Sequence, residues 1–171
     1  MASSENKLKL ICVDGSVHSD RAVEWFFDNV YMQGDEVGIA HIHVLPDMPS
    51  FGFYAHPNME KISHTKYFKD GEAIVDASYQ ERIQNSVLDS QAVVEKYKEM
   101  VKTKGVEPHV FVETMHDSVG HTLCKLAKKN HAKVIVIGQR GLGTVRRTLF
   151  GSVSDYVLHH THIPVIVVMP E

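Results

Sequence analysis

The chain has 171 residues, of which 43% are hydrophobic and 23% are charged, and its formal net charge is −3. This length and composition predict one globular domain over residues 1–171, and the negative charge argues against non-specific binding to nucleic acid. No apolar run approaches the roughly 20 residues that are needed to span a bilayer, so no membrane partner is expected.

The cysteines and the start of the chain favour a cytoplasmic location. Cys12 and Cys124 lie far apart and lack the spacing of a metal site. We interpret them as buried reduced thiols rather than as a disulfide or a reactive pair. The first residues show no basic segment followed by an apolar one, the pattern of a secretory signal.

The first predicted strand covers residues 7–13 and ends at Asp14. It alternates at its edge and then becomes continuously apolar, which is typical of a strand buried in a parallel sheet. A carboxylate at the carboxyl end of such a strand faces the crevice where open α/β sheets bind ligands. From the residues alone, Asp14 is either a ligand contact or a loop or capping residue.

A first helix and a second strand follow. Either Ser16 or Ser19 can cap the helix. Its core face is predicted by apolar residues at helical spacing, namely Val23, Phe26, Phe27, Val30 and Tyr31. The strand, residues 36–45, carries His41 and His43 on one face. A half-buried strand face is favoured over a metal site, because no third ligand is evident.

Residues 46–70 are interpreted as a variable insertion, because they are too many for a plain connection. They form either a flap near the crevice mouth or a variable surface loop. A long helix is predicted over about 71–104, with an apolar stripe formed by Ile83, Val87, Val94, Tyr97 and Val101. A third strand over 109–113 and a helix capped by Asp117 or Ser118 come next.

The most informative stretch follows, where a fourth strand ends at Gly138. Four β-branched apolar residues precede this glycine, and Gly141 and Gly143 follow it. The chain then reaches Gly151 and Ser152, and Ser152 is predicted to cap a helix over about 152–160. Clustered backbone N–H groups beside a helix N-terminus favour a phosphate site. Glycines that only turn the chain are the alternative, and the residues leave it open.

Two common phosphate motifs do not fit this stretch. The Walker A pattern requires Lys after its second glycine, where Thr144 stands. The dinucleotide pattern requires a third glycine, where Arg146 stands. The remaining pattern, Gly138-x2-Gly141-x9-Gly151-Ser152, resembles the glycine motif of nucleotide-binding universal stress proteins. The segment from Val13 to Ser16 is similar to that family's opening motif, and the resemblance covers most of the chain.

The resemblance implies binding of an adenine nucleotide, ATP or else ADP or AMP, with Mg²⁺ as a companion of the nucleotide. Val13 and Asp14 would contact the base and the ribose, and the backbone of Val44 would contact adenine. The residues placed by implication around the phosphates are Gly138, Arg140, Gly141, Gly151, Ser152, Val153 and Ser154.

Strands and helices alternate along the whole chain, up to a last strand over 164–168. This alternation predicts a single-domain α/β fold, a doubly wound Rossmann-like sheet of five parallel strands with helices on both faces. The family resemblance implies the strand order 3-2-1-4-5. It also implies a homodimer in which the last strand pairs with its own copy, through Val165, Ile166, Val167 and Val168.

We expect binding or switching in a stress response rather than efficient catalysis. No two residues are placed as nucleophile and general base, so catalytic residues are not assigned and only slow ATP hydrolysis stays open. No metal site is assigned to His159, His160 and His162, because no acidic or cysteine partner lies near them in sequence. Two alternatives remain: an ATPase or nucleotidyl-transfer enzyme, and a chaperone-like interaction module that binds no nucleotide.

Overall fold

The computed structural model describes residues 8–47, 68–69, 72–73, 77–139 and 151–170. Their elements follow in the order β1 (Leu8–Cys12), α1 (Val17–Asn29), β2 (Glu36–His43), β3 (Phe68–Lys69), β4 (Glu72–Ala73), α2 (Ala77–Lys102), β5 (His109–Thr114), α3 (Val119–Lys129), β6 (Val134–Gly138), α4 (Ser152–His160) and β7 (Val165–Val168). No helix in these ranges has the length and hydropathy that a bilayer crossing requires.

The main sheet has five strands in the spatial order β5-β2-β1-β6-β7, and all its neighbouring pairs are parallel. This arrangement confirms the predicted order 3-2-1-4-5. Ile11 in the central strand lies opposite Ile39 of β2 and Val136 of β6. The chain leaves β1 toward β2 and β5 and then returns to β6, so the topological switch point lies between β1 and β6.

Both faces of the sheet are buried, because successive side chains of a strand point to opposite sides. On one face, Leu10 belongs to an apolar cluster with Leu123 and is covered by α3 and α4. On the other face, Ile11 packs with Phe26 of α1 and Tyr97 of α2. This two-sided burial explains why β6 is a continuous apolar run and why β1 is apolar apart from Lys9.

The predicted boundaries of two elements were wrong. β2 ends at His43 rather than at residue 45. α2 begins at Ala77 rather than near residue 71, because an antiparallel pair formed by β3 and β4 precedes it.

The apolar stripe predicted as the core face of α2 is fully buried only in the second half of the helix. Tyr97 and Val101 are fully buried, whereas Val87 is 37% exposed. The helix has 26 residues and the adjacent strand β2 has eight. Their lengths are therefore about 39 Å and about 27 Å. The helix is longer than the strand beneath it. Its first half therefore packs against less of the sheet and is less buried.

The helix starts differ in how they are capped. Ser16 caps α1 and Ser118 caps α3, each through a side-chain oxygen that accepts from a backbone N–H three residues later. At α4 the N-cap residue is Gly151, and no side chain caps the helix. The prediction that Ser152 caps this helix was wrong, because Gly151 holds the extended backbone and Ser152 is already helical.

Candidate functional site

A cavity of about 300 Å³ lies at the carboxyl ends of β1, β2 and β6, beside the first turn of α4. This position is the switch point of the sheet, where doubly wound folds bind their ligands. The volume is at the lower end of the range of about 300–1,000 Å³ for small-molecule sites.

Most residues predicted for the site lie around this cavity, although they come from distant parts of the chain. They are Val13, Asp14, Val44, Gly138, Gly151, Ser152, Val153 and Ser154. Arg140 and Gly141 were also predicted, and both lie outside the described residues, as does most of the insertion at 46–70.

One wall of the cavity is apolar, and the sequence had indicated its residues only as core. The wall is formed by Cys12, Ala40, Ile42, Val119, Leu123 and Ile137. Burial, and to a smaller extent the neighbouring Cys124, raises the pKa of the Cys12 thiol. The thiol therefore stays neutral near pH 7 and contributes a small apolar surface rather than a reactive group.

Asp14 is fixed at the rim of the cavity by the loop that follows β1. Its Oδ1 accepts hydrogen bonds from the backbone N–H of Ser16 at 3.0 Å, from Ser16 Oγ at 2.5 Å and from Ser19 Oγ at 2.7 Å. The backbone N–H of Asp14 donates to Ser19 Oγ at 3.0 Å. Ser19 is 4% exposed and also lines the cavity. The sequence indicates Ser19 only as a candidate cap, because its position at the cavity depends on how α1 packs against the end of β1.

Gly138 lines the cavity and also lies against the first turn of α1. A Cβ at this residue would lie 2.2 Å from the carbonyl oxygen of His18 and 2.6 Å from its carbon. Such distances are far below any real contact with backbone, so only glycine allows the first turn of α1 to approach the end of β6. The glycine that was placed beside the phosphates is therefore required by the fold as well.

Gln139 lines the cavity and was not predicted from the sequence. It is 3% exposed, and its backbone N–H donates to the carbonyl of Val168 at 2.9 Å. Its own carbonyl accepts a hydrogen bond from Nη2 of Arg21 at 3.0 Å. Gln139 thus links β6 with β7 and with α1, directly before the glycine-rich segment begins.

The first turn of α4 presents backbone N–H groups to the cavity. Because no side chain caps this helix, its first N–H groups lack the usual internal partner. Ser152 is exposed at this point, whereas Ser154 is buried and its hydroxyl donates to the carbonyl of Gly151 at 3.0 Å. In this conformation, therefore, the Ser154 hydroxyl can accept a hydrogen bond but has no hydrogen left for an anion.

The histidines on β2 are paired with serines rather than with one another. His41 Nε2 lies 3.2 Å from Ser90 Oγ, and His43 Nε2 lies 3.1 Å from Ser86 Oγ. Within the described ranges, no group of three or more His, Cys, Asp or Glu residues could hold a metal ion.

A doubly wound α/β sheet with a cavity at its switch point is the architecture of the Rossmann-like class. The model of the universal stress protein family matches residues 9–169. The chain therefore belongs to the universal stress protein family, as the glycine pattern and the opening motif had indicated.

Comparisons with individual proteins agree with this assignment. A universal stress protein of Mycolicibacterium smegmatis is 30% identical over 159 residues, which cover 93% of this chain and 47% of the relative. This chain thus spans about half the length of the first curated relatives that it matches.

Two solved structures show the same fold at low sequence identity. Hypothetical protein MJ0577 has a TM-score of 0.69 at 16% identity, and the match covers 97% of each chain. A universal stress protein family protein from Arabidopsis thaliana, with AMP bound, has a TM-score of 0.60 at 18% identity and covers 96% of this chain and 92% of its own.

Proposed function

We propose that the protein reversibly binds an adenine nucleotide, ATP, ADP or AMP, and acts as a binding or switch protein in a stress response. The observation that carries this proposal is the cavity itself. It collects residues from four separate segments, which the family resemblance had assigned to base, ribose and phosphate. The Arabidopsis thaliana relative of the same fold holds AMP, which supports an adenine nucleotide as the ligand class.

The cavity suggests where each part of the nucleotide lies. The apolar wall offers adenine a surface without competing charges, and the backbone of Val44 borders it. The fixed carboxylate of Asp14 accepts hydrogen bonds from ribose hydroxyls. The phosphates lie at the uncapped start of α4, where the backbone N–H groups and the helix dipole favour an anion. Gly138 borders them, and Arg140 and Gly141 are assigned to them from the sequence.

A Mg²⁺ ion, where it accompanies ATP, is proposed to be held mainly by the phosphates. Asp14 is the only carboxylate among the described residues that line the cavity, and its Oδ1 already accepts three hydrogen bonds. Mg²⁺ usually keeps several waters and binds through phosphates and one or two carboxylates. The affinity for AMP should then depend little on Mg²⁺.

Hydrolysis is proposed to be slow at most. The described lining of the cavity holds no histidine, lysine or glutamate that would serve as a general base. The thiol of Cys12 is kept neutral by burial, because its pKa is raised, so it is a weak nucleophile. These observations favour a binding protein over an ATPase.

Calorimetric titration with ATP, ADP and AMP, with and without Mg²⁺, tests the proposal together with a phosphate-release assay. We expect saturable binding with no steady turnover. Steady release of phosphate beyond a few turnovers per hour would identify an ATPase instead. Absence of binding at low-millimolar nucleotide, with the protein folded, would favour a chaperone-like interaction module.

The variant Asp14→Asn tests where the nucleotide lies. Asn retains an oxygen acceptor for Ser16 and Ser19 but removes the negative charge that strengthens hydrogen bonds from the ribose. Hydrogen bonds to charged groups contribute about 1 kcal/mol more than neutral ones, so we expect about fivefold weaker binding. The control Asp28→Asn makes the same charge change on an exposed face of α1, away from the cavity, and should bind normally. Equal affinity in both variants would place the ribose elsewhere.

A homodimer through β7 and a cytoplasmic location remain proposals. β7 is an edge strand of the sheet, and three of its four residues are only partly buried in the single chain. An edge strand of this kind is normally paired or protected. The two cysteines are free, as in proteins of a reducing compartment.

A further inference from the structure

His41 lies directly behind the cavity, between the end of β1 and α2. It is 8% exposed. Its Nδ1 lies 3.0 Å from the carbonyl oxygen of Val13, and its Nε2 lies 3.2 Å from Ser90 Oγ on α2. Val13 lines the cavity next to Asp14, and its own N–H donates to the carbonyl of Ala40 at 2.9 Å. Both backbone groups of Val13 are therefore hydrogen-bonded to β2. Its N–H is bonded to the backbone of Ala40, and its carbonyl is bonded to the side chain of His41.

The partners of His41 define which nitrogen carries the hydrogen. A backbone carbonyl only accepts, so Nδ1 must be protonated, and in the neutral ring Nε2 accepts from the Ser90 hydroxyl. His43 shows the reverse arrangement. The hydroxyl of Ser86 donates to the carbonyl of Ile83 at 2.8 Å, so its oxygen accepts the hydrogen of His43 Nε2. Two histidines on one strand face thus hold opposite tautomers.

The same helix contacts the loop after β1 at two further points. A Cβ at Gly15 would lie 2.9 Å from Cγ2 of Val93, so α2 packs closely on this loop. The hydroxyl of Tyr97, which is fully buried, donates to Asp20 Oδ1 at 2.7 Å and lies 3.2 Å from the carbonyl of Ser16. α2 therefore contacts this loop at Gly15 and Ser16, and it is connected to Val13 through His41 and Ser90.

We propose that His41 is a positioning residue for the nucleotide cavity, which holds the Val13 carbonyl in place and links the cavity to α2 through Ser90. The inference rests on the proposed function. A nucleotide that contacts Val13 and Asp14 requires this backbone in one orientation, and the buried imidazole selects that orientation. A shift of the loop on binding would in turn be felt at Ser90.

Two substitutions at His41 separate its two hydrogen bonds. In His41→Asn, the side-chain amide N–H can replace the ring Nδ1–H at the Val13 carbonyl but cannot reach Ser90. In His41→Leu, both bonds are lost and the Val13 carbonyl has no side-chain donor. A buried polar group left without its partner typically costs a factor of about ten or more, so His41→Leu should weaken ATP binding about tenfold. His41→Asn should recover most of this loss.

Two alanine substitutions on α2 provide a matched comparison. Ser90→Ala removes the hydroxyl that holds the ring of His41, and Ser86→Ala removes the hydroxyl that holds the ring of His43 one helical turn away. We expect about threefold weaker ATP binding for Ser90→Ala and no change for Ser86→Ala. If His41 had only a structural role, Ser90→Ala and Ser86→Ala would lower the melting temperature, but the two variants would bind ATP with the same affinity.

Nitrogen NMR of the histidine rings supplies a readout that stability does not influence. In the nucleotide-free protein, His41 should show the Nδ1–H tautomer and His43 the Nε2–H tautomer. Addition of ATP should shift the Nδ1 resonance of His41 and leave the ring of His43 unchanged. If the nucleotide-free protein showed the Nε2–H tautomer at His41, the inference would be wrong.

The titrations distinguish the two possible failures. If the wild-type protein binds ATP and His41→Leu binds it equally well, the inference fails while the proposed function stands. If the wild-type protein binds none of ATP, ADP and AMP, the proposed function fails and the inference fails with it. Should His41→Leu not fold, the pair Ser90→Ala and Ser86→Ala decides, because each removes only one exposed or half-buried oxygen.

Discussion

Gly138 is a residue whose missing side chain serves both the fold and the candidate site. The carbonyl of His18 occupies the space where a Cβ would stand, at 2.2 Å. Gly151 belongs to the same sequence pattern, but a Cβ there would meet only Ser154 Oγ at 3.8 Å, and its φ of −70° suits any residue. The packing therefore requires a glycine at 138, whereas it leaves room for a side chain at 151.

Substituting each glycine by alanine should show this difference in packing. Gly138→Ala must move the backbone of α1 or β6, and overpacking of this kind costs about 1–3 kcal/mol or more in free energy of unfolding. Gly151→Ala meets no clash, and its cost is limited to the weaker N-capping of alanine, so it should be smaller, at most about 1 kcal/mol. Urea denaturation of both variants measures the difference. Equal losses would mean that the close approach of α1 is not needed.

Residue-level reasoning predicted the polar half of the site better than its apolar half. Asp14, Gly138 and the residues at the start of α4 stand out in the sequence because glycine and acidic residues interrupt apolar runs. Ala40 and Ile42 could not be distinguished from core residues, because nothing in a strand pattern shows which end of a buried face stays open. Gln139 was missed because its role depends on contacts with two distant elements.

β1 is an element whose apolar run is interrupted by a charge. Lys9 is 9% exposed, and its Nζ lies 2.6 Å from Asp35 Oδ2 and 2.9 Å from the carbonyl of Val30. Asp35 Oδ2 also accepts a hydrogen bond from the backbone N–H of Met32 at 2.7 Å. The pair thus ties the start of the central strand to the turn between α1 and β2.

Removing only the positive partner should be more harmful than removing both charges. Lys9→Met leaves the carboxylate of Asp35 buried without its cation, which typically costs about 3–5 kcal/mol. The double variant Lys9→Met with Asp35→Asn removes the stranded charge and retains an acceptor for Met32, so it should recover most of that loss. Unfolding free energies of the wild type and both variants form the test. A double variant as unstable as the single one would contradict this account.

At the level of elements, alternation and periodicity predicted the five strands of the main sheet and the four helices. The short pair of β3 and β4 was missed, and the other errors fell at the ends of elements. The first half of α2 looked like a core face in the sequence, yet Val87 is exposed because the helix is longer than the strand beneath it. Helical spacing reports which residues share a face, but not how far the supporting sheet extends. The cap of α4 was misplaced by one residue for a similar reason, since Gly151 and Ser152 both suit an N-terminus.

At the scale of the whole molecule, the described residues give the main sheet two edge strands, β5 and β7. Along β7 and the residue before it, the carbonyl of Pro164 accepts a hydrogen bond from the N–H of Ile135, and the carbonyl of Val168 accepts one from the N–H of Gln139. Backbone groups alternate in direction along a strand, so those of Val165 and Val167 point away from the sheet. These outward groups are the ones that a second copy would pair with in the proposed homodimer.

Val167→Pro tests the homodimer at this edge. Proline removes the outward N–H of residue 167. The carbonyls of Pro164 and Val168 can still accept their hydrogen bonds from Ile135 and Gln139. Val167→Thr keeps the N–H and the branched shape and serves as the control. By sedimentation, we expect the wild type and Val167→Thr to be dimeric and Val167→Pro to be monomeric. A wild type that sediments as a monomer at about 100 µM, a concentration at which standard-sized interfaces with micromolar or tighter Kd values are saturated, would rule out the homodimer.

Strand order was the global property that the sequence predicted well, with help from the family resemblance. Strict alternation of strand and helix allows few topologies, and the resemblance selected one of them. The position of the cavity then follows from topology, because β1 and β6 become neighbours only when the chain returns past its starting strand.

The uncapped first turn of α4 has a consequence for how the protein would behave before the proposed nucleotide binds. A helix start that lacks a cap frays, and frayed amides exchange their hydrogens with solvent rapidly. In deuterium-exchange mass spectrometry, peptides that cover Val153 and Ser154 should exchange quickly in the free protein and slowly with nucleotide bound. The equivalent turn of α3, which Ser118 already closes, should exchange at the same rate in both states. The anion would thus complete the secondary structure as well as occupy the cavity.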